Sequence, residues 1–509
     1  MPIEANAQPS RSLTGRRLLG NVAWNFGGEV GRALTGLIAT PILIYALGAQ
    51  RYGMLVIIWA AIVSFSLFDL GICVALTKVV ADRIGRKLED EVPELVWTAM
   101  MTTIALGAIG GIVLWKVSPW LAGGAFKVPP KLRRETIDSL FLLAVALPLF
   151  VSVQELHATL AAFQRFDMIA TLRGVGEWLA YLPMLVVLPF SRSLVPLVAV
   201  MMAGHAARWV VYLVLNLRVV PGLRGRPRFR WAALRELFSF GGWVALNQVG
   251  SSLIATCDRF FIGALVSAEA LAFYAPALSV VRKIRMVPSL VSGVMMPAFS
   301  QGLAEDREKT ERLFEPTEKF VLLAVFPMSL VVVAFAKPLM SLWLGAAIGA
   351  QGAPILRWLA LGAFVSCLAE MPASMLLAAH RPDLNAKYLA ASLLPSLALL
   401  WWLTSAYGAE GAAMARSLGL GASGVFLLAA LSWVIPTISP VIRHYGWLMA
   451  AALVALALAA LPMTIIASAV YVAGVLLAFA AHCWFRVFSM EERKFVIGAL
   501  RLAPFSEAA

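Results

Sequence analysis

The chain has 509 residues, 61% of them apolar and only 14% charged, with a mean hydropathy of +0.83. That balance excludes a soluble globular fold and bounds the chain as an all-α polytopic membrane protein. Its net charge of +14, from 42 basic and 28 acidic residues, reports membrane topology and contact with anionic lipid; with no soluble module to present a basic surface, nucleic acid is not an expected partner.

Taken in order, residues 1–14 are polar, and Arg16 and Arg17 precede the first apolar stretch. Glu29 and Arg32 interrupt that stretch, so it reads as a retained span rather than a cleaved signal peptide. About fourteen stretches are long enough to cross a bilayer: 18–47, 53–77, 94–115, 138–162, 168–190, 194–216, 238–265, 271–299, 318–344, 354–379, 385–405, 411–435, 444–462 and 464–485. Lys and Arg concentrate in alternate loops, around 78–87, 218–235, 307–312, 381–387, 443 and 486–501, which places both termini in the cytoplasm. The 116–134 loop, with Lys116, Lys127, Lys131, Arg133 and Arg134 on the opposite side, is the exception.

Sliding the chain by 222 residues lays Asn25 on Asn247 and Tyr52 on Tyr274, with one span and one short joint between them in each copy. The implied organisation is a cytoplasmic tail (1–17), an N-lobe of six spans (18–216), a basic linker (217–237), a C-lobe of six spans (238–435), two appended spans (436–485) and a second cytoplasmic tail (486–509). Six arginines in the linker, beside Phe229 and Trp231, predict a cytoplasmic segment whose second part lies as an interfacial helix on anionic headgroups.

Charges inside the spans are the functional candidates, since each costs about 2.5–3.5 kcal/mol at the centre of a membrane helix. Residues 271–281 and 286–299 are each too short to cross alone, so they make one span only with Arg282, Lys283 and Arg285 between them. Arg282 and Arg285 fall on one face and repel unless an anion sits between them, which points to a negatively charged ligand. In the first span Asn25, Glu29 and Arg32 form one polar stripe; Asn247, Ser251 and Asp258 occupy the matching stripe of the seventh, next to Arg259. Glu29 and Arg32 could equally neutralise one another. Arg208 lies in the sixth span, and Asp69 and Glu370, in the second and tenth, are candidates for coupling to protons or sodium. Glu155, His157, Arg173 and Glu177 lie nearer helix ends and read as interfacial or bundle contacts.

Catalytic signatures are lacking. The chain has no Walker A stretch, no DxD and no GxSxG, and no loop much longer than about twenty residues in which a polar substrate could be processed. Cys73, Cys257, Cys367 and Cys483 are widely spaced packing residues, and the five histidines form no HExxH pattern, so neither a metal nor a cofactor is expected. Transport without chemistry on the chain is what these features leave.

Several stretches are familiar in their order and spacing: PILIYALGAQRYG (41–53), DLG (69–71), AAFQRFDMIATLRG (161–174), CDRFFIGALV (257–266), PAFS (297–300), LWLG (342–345), LLAAHRPDLNAK (376–387) and YGAEGAA (407–413). Together they resemble the bacterial polysaccharide exporters, the lipid-linked oligosaccharide flippases of the multidrug, oligosaccharidyl-lipid and polysaccharide exporter superfamily. The resemblance implies a non-enzymatic inner-membrane transporter of two helical lobes with alternating access, and an undecaprenyl-pyrophosphate-linked glycan as substrate. In that picture Arg32, Arg208, Arg259, Arg282, Lys283 and Arg285 meet the pyrophosphate side of the cavity, and Asn25, Asn247 and Ser251 meet sugar hydroxyls. Asp69, Glu29, Asp258 or Glu370 would couple to H+ or Na+, and polysaccharide polymerase machinery is a candidate partner. Rival expectations are a multidrug cation antiporter of the same superfamily, which would want an acidic cavity, and a membrane polysaccharide polymerase or ligase, which would want a long outer loop.

Overall fold

The structure is a computed structural model; it describes residues 15–65, 69, 71–305, 307–487 and 493, and these are helical almost throughout, with no strand among them. The helices are α1 (Gly15–Phe65), α2 (Ile72–Gly85), α3 (Val92–Trp120), α4 (Arg133–Ala162), α5 (Phe166–Val187), α6 (Leu194–Val219), α7 (Trp231–Phe261), α8 (Ala268–Glu305), α9 (Arg307–Ala334), α10 (Ala336–Leu344), α11 (Ala346–Leu368), α12 (Glu370–Ala378), α13 (Pro382–Val434), α14 (Ser439–Ala459) and α15 (Ile465–His482). Among the described residues, nine segments are long and apolar enough to cross a membrane.

Helix length shows where one segment holds more than one crossing. At 53 residues, α13 would run ~80 Å if straight, far beyond a hydrocarbon core of about 30 Å. It breaks at Gly408, whose φ of 63° and ψ of −140° leave the helical region. The 51-residue α1 breaks likewise at Gly48, φ 77°. Both glycines adopt positive φ, which a side chain would strain, and both fall at joints between predicted spans.

Contacts divide the chain into two units, Met1–Glu269 and Ala270–Ala509. In the first, the loops gather at two ends as an alternating path requires. At one end Arg51 Nε meets Glu135 Oε2 at 3.3 Å, Glu135 accepts the backbone N–H of Leu194, and Lys127 Nζ donates to Leu265 O at 2.6 Å. Those bonds tie the basic 116–134 loop to its neighbours. At the other end Arg83 bridges Glu91 at 2.8 Å and Glu236 at 3.0 Å, Arg230 meets Glu94 at 3.5 Å, and Trp97 Nε1 donates to Leu223 O at 3.3 Å.

Two expectations change here. The linker 217–237, expected to divide the lobes, lies within the first unit, pinned by the bonds of Arg83, Arg230 and Trp97; α7 packs there on α1, α2 and α3. Its second part also forms no separate interfacial helix, because the helix that starts at Trp231 continues without a break to Phe261.

α3 packs closely along α4. A Cβ on Gly107 would sit 2.7 Å from Pro148 Cα, and one on Gly111 would collide with the Ala144 carbonyl. Gly107 and Gly111 are one turn apart, the small-xxx-small spacing that lets membrane helices approach backbone to backbone. Gly107→Leu should therefore destabilise the protein in detergent by about 1–3 kcal/mol, the usual cost of overpacking. A fluorescence-detected melting curve checks this; an unchanged midpoint would mean that the two helices separate freely.

Candidate functional site

In the first unit, Asp258 and Arg259 lie near the end of α7, 1% and 7% exposed. Asp258 Oδ1 accepts the backbone N–H of Arg259 at 2.8 Å, so the carboxylate turns back on its own helix. The charge of Arg259 reaches the hydroxyl of Tyr52, a buried side chain bonded to Thr40 and neighboured by Tyr181. Trp59 stands edge-on to both tyrosines, with ring centroids at 6.4 and 5.4 Å, and sends its Nε1–H to Met201 Sδ at 3.0 Å. A buried guanidinium thus sits beside an aromatic wall of α1 and α5, and no carboxylate within ion-pair distance of it is seen among the described residues. The side chains of Asn25, Glu29, Arg32, Asn247 and Ser251, predicted to share this polar face, lie outside the described residues, as do those of Arg173 and Glu177.

In the second unit, Arg282, Lys283 and Arg285 belong to one unbroken 38-residue helix, α8, so the cluster interrupts no span. Arg285 stands 17 residues from Ala268, ~25 Å along the axis of α8. The three separate by exposure. Arg282 is exposed, which corrects the expectation of a wholly buried cluster; Lys283 and Arg285 are half-buried. Residues three apart on a helix share a face only loosely, and here the helix turns Arg285 inward and Arg282 outward. Arg285 and Glu370 both act electrostatically on the Cys367 thiol, so α8 meets the α11–α12 junction at a cation and an anion with no ion pair between them within 4 Å. That junction is a helix break at Ala369, after which Glu370 opens α12.

The remaining predicted residue, Arg208, is half-buried on α6 and acts on His205, whose ring lies 4.3 Å from that of Phe150. Sequence reading missed two groups. Arg357, on α11, is half-buried with its Nε shielded from solvent and without a hydrogen-bond partner; as a base inside an apolar run it carried the same signal as Arg208. Glu155, expected to make interfacial or bundle contacts, lies within the bundle at 0% exposure, and what sequence reading missed is its partner. It faces Asp69, because α4 runs six residues past Leu156 before ending at Ala162 and keeps that turn inside the bundle rather than at its rim.

Against known proteins, a family model described as polysaccharide biosynthesis protein matches residues 43–348. The chain belongs to that family. A Shigella flexneri protein provisionally described as an O-antigen transporter is 24% identical over 407 residues, covering 79% of this chain and 94% of its own. The lipid II flippase MurJ, in an inward closed conformation, superposes with a TM-score of 0.70 at 11% identity, over 91% of this chain and 98% of MurJ. An inward-facing multidrug resistance transporter of the MATE family and the MOP superfamily gives 0.65 at 13% identity, over 81% and 96%. The family member therefore has the multi-pass helical transporter fold of MurJ and MATE proteins.

Two turns beyond Arg285, Ser292 of α8 meets Ser374 of α12, Oγ to Oγ at 2.7 Å. That separation is close to what a disulfide needs, an S–S bond of about 2.0 Å between adjacent β-carbons. In a background free of the four native cysteines, the double substitution S292C/S374C should cross-link on oxidation, read as protection of both thiols from a bulky maleimide. Thiols left free after oxidation would place the two helices apart.

Proposed function

We propose that the protein is a flippase that carries a lipid-linked oligosaccharide, an undecaprenyl-pyrophosphate-type glycan repeat unit, across the bacterial inner membrane by alternating access for polysaccharide biosynthesis. Family membership and the transporter fold support this reading. The observation that carries it is local: Arg259 in one unit and Arg285 in the other sit at buried or half-buried positions inside spans with no described carboxylate in ion-pair contact. A cation so placed is costly unless an anion visits it, and guanidinium forks suit phosphate oxygens in a way that ammonium groups do not.

In the full proposal the candidates to neutralise pyrophosphate are Arg32 and Arg259 in the first unit and Arg282, Lys283 and Arg285 in the second, each set taken by itself, and Arg208 is a further substrate-binding candidate. Asn25, Asn247 and Ser251 take sugar hydroxyls, while Asp69, Glu29, Asp258 and Glu370 are the coupling candidates. Two lobes of six spans, two appended spans and cytoplasmic termini complete the topology, and anionic lipids and polymerase machinery are the proposed partners. The likeness to a MATE transporter leaves a drug antiporter on the same scaffold as the alternative; unpaired buried arginines argue against a cationic cargo.

Charge reversal provides the test. In a deletion strain complemented with variants, Arg259→Glu and Arg285→Glu should each lower surface polysaccharide at least about tenfold, the range lost when one partner of a buried charged contact is removed, while membrane protein levels hold. Arg282→Glu, at an exposed position, should lower it less. Full polysaccharide output from the first two variants would remove the proposed cargo and keep the scaffold.

A further inference from the structure

The second membrane span is not one helix. α1 is described to Phe65 and α2 starts at Ile72, and the left-handed backbone of Gly71 just before α2 breaks the helix. Gly71, with φ 75°, makes the turn into α2. Asp69 stands in the gap, and its Oδ1 accepts the backbone N–H of Cys73 at 2.9 Å, which satisfies one of the donors that the new helix start leaves open.

Two further bonds fix what faces this break. Cys73 Sγ donates to Gln154 O at 3.4 Å, and Thr77 Oγ1 lies 3.5 Å from Ala158 O. The first turns of α2 therefore run along residues 154–158 of α4, and Glu155 is the acidic side chain there. It is 0% exposed, packed among Ile72, Leu76, Met100 and Leu156, themselves buried. Neither of its carboxyl oxygens meets a donor in good hydrogen-bond geometry; the groups beside them are the Asp69 carboxyl and the Thr103 hydroxyl.

We propose that Asp69 and Glu155 form one proton-binding site at the break in the second span. Two ionised carboxylates in contact within an apolar core repel strongly. One proton held between them turns that repulsion into an O–H···O bond, in which the protonated carboxyl donates and the other accepts. Binding of the proton then draws the start of α2 onto α4, and its release drives the two apart, at the one point where the span has no continuous helix to resist. Discontinuous helices are where membrane transporters place their ion sites. A metal cation is the poorer fit, because among the described residues no group of three His, Cys, Asp or Glu side chains could hold one.

Other titratable groups on the surrounding helices are engaged elsewhere. On α4, His157 lies against Tyr212; on α6, His205 lies against Phe150 with Arg208 acting on it. On α3 and α7, Glu94 meets Arg230 and Glu236 meets Arg83, and Asp258 and Arg259 belong to the Tyr52 cluster. On α1, Arg51 is held by Glu135; the side chains of Glu29 and Arg32 there, and of Arg173 and Glu177 on α5, lie outside the described residues. The Cys73 thiol is the third titratable group bearing on the pair.

The coupling role rests on the transport reading above, whereas the site itself can be tested without it. Infrared difference spectra of the purified protein in liposomes, taken between about pH 5 and pH 9, should show the carbonyl stretch of a protonated carboxyl that Glu155→Gln removes. In cells Glu155→Gln should lower surface polysaccharide by about tenfold, within the span expected of coupled sites, with Glu155→Asp restoring part of it. A spectrum in which no such band titrates, in wild type as in the variant, overturns the proposal, as does a band that moves with sodium at constant pH. Wild-type output from Glu155→Gln overturns the coupling role and leaves the flippase reading intact. Polysaccharide export that does not depend on the wild-type protein at all would overturn the flippase reading alone, and the infrared band would still decide the site.

Discussion

Hydrocarbon offers no hydrogen-bond partner and no counter-ion, so each polar group within a span of this protein must find one inside the bundle or wait for a ligand. The packing answers that demand at close range first. Hydroxyls fold back on their own helices, as Thr103 does on Ala99 O and Met100 O at 3.1 Å and Thr159 does on Glu155 O at 2.8 Å. Asn216 spans to Leu156 O at 3.0 Å and to Tyr212 O at 2.8 Å, joining α4 to α6 where both backbones are already saturated. Such local bonds cost little design and specify which faces meet. Beyond the hydroxyls and amides stands a set of acids and bases, whose charge asks for more than a single local bond.

Several of these ionisable side chains sit where the helices stop being regular. Asp69 stands at the gap before α2, Glu370 opens α12 just past Ala369, and Asp258 and Arg259 are at the last turn of α7, where a π-helical turn over Ile262–Val266 takes over. A helix end exposes backbone N–H or C=O groups and a partial charge. An ionisable side chain placed there has polar backbone within reach, as the Asp69 bond to Cys73 N–H illustrates. Breaks within spans therefore lower the cost of keeping charge in the membrane, and they are also the points at which a bundle can hinge. Coupling a bound charge to a change of shape needs both properties at one place.

Much of this was legible in the sequence, for reasons of length and charge. The all-helical, multi-pass character followed from apolar runs long enough for a hydrocarbon core, and joints at Gly48 and Gly408 fell where the turns of α1 and α13 occur. The continuity of α8 through Arg282–Arg285 followed from the shortness of the two flanking runs. Three things were not legible. Which of three adjacent cations turns inward depends on the rotation of α8 against α12, and a sequence does not carry rotation. Glu155 looked peripheral because its depth depends on how far α4 extends beyond the membrane core. The linker hid its attachment because Arg83, Glu91 and Glu236 are distant in sequence and become a cluster only when α2, the α2–α3 turn and α7 converge.

The sign of the unpaired charge separates the cargoes that one scaffold could carry. MurJ and MATE proteins have this fold in common with the chain, so the arrangement of helices cannot choose between a lipid-linked glycan and a cationic drug. A cation-binding cavity needs carboxylates that stand open to the ligand. Here Glu155, 0% exposed, is turned toward another acid, Asp69, rather than toward open space. The arginines are placed in the opposite way. Arg259 lies beside the hydroxyl of Tyr52, and Arg285 stands at the edge of the α11–α12 junction, each with donors to spare and an aromatic or polar neighbour. In the proposed reading, acids turned toward one another and arginines beside polar or aromatic neighbours give an anionic headgroup and a coupling proton separate sites, so that neither neutralises the other.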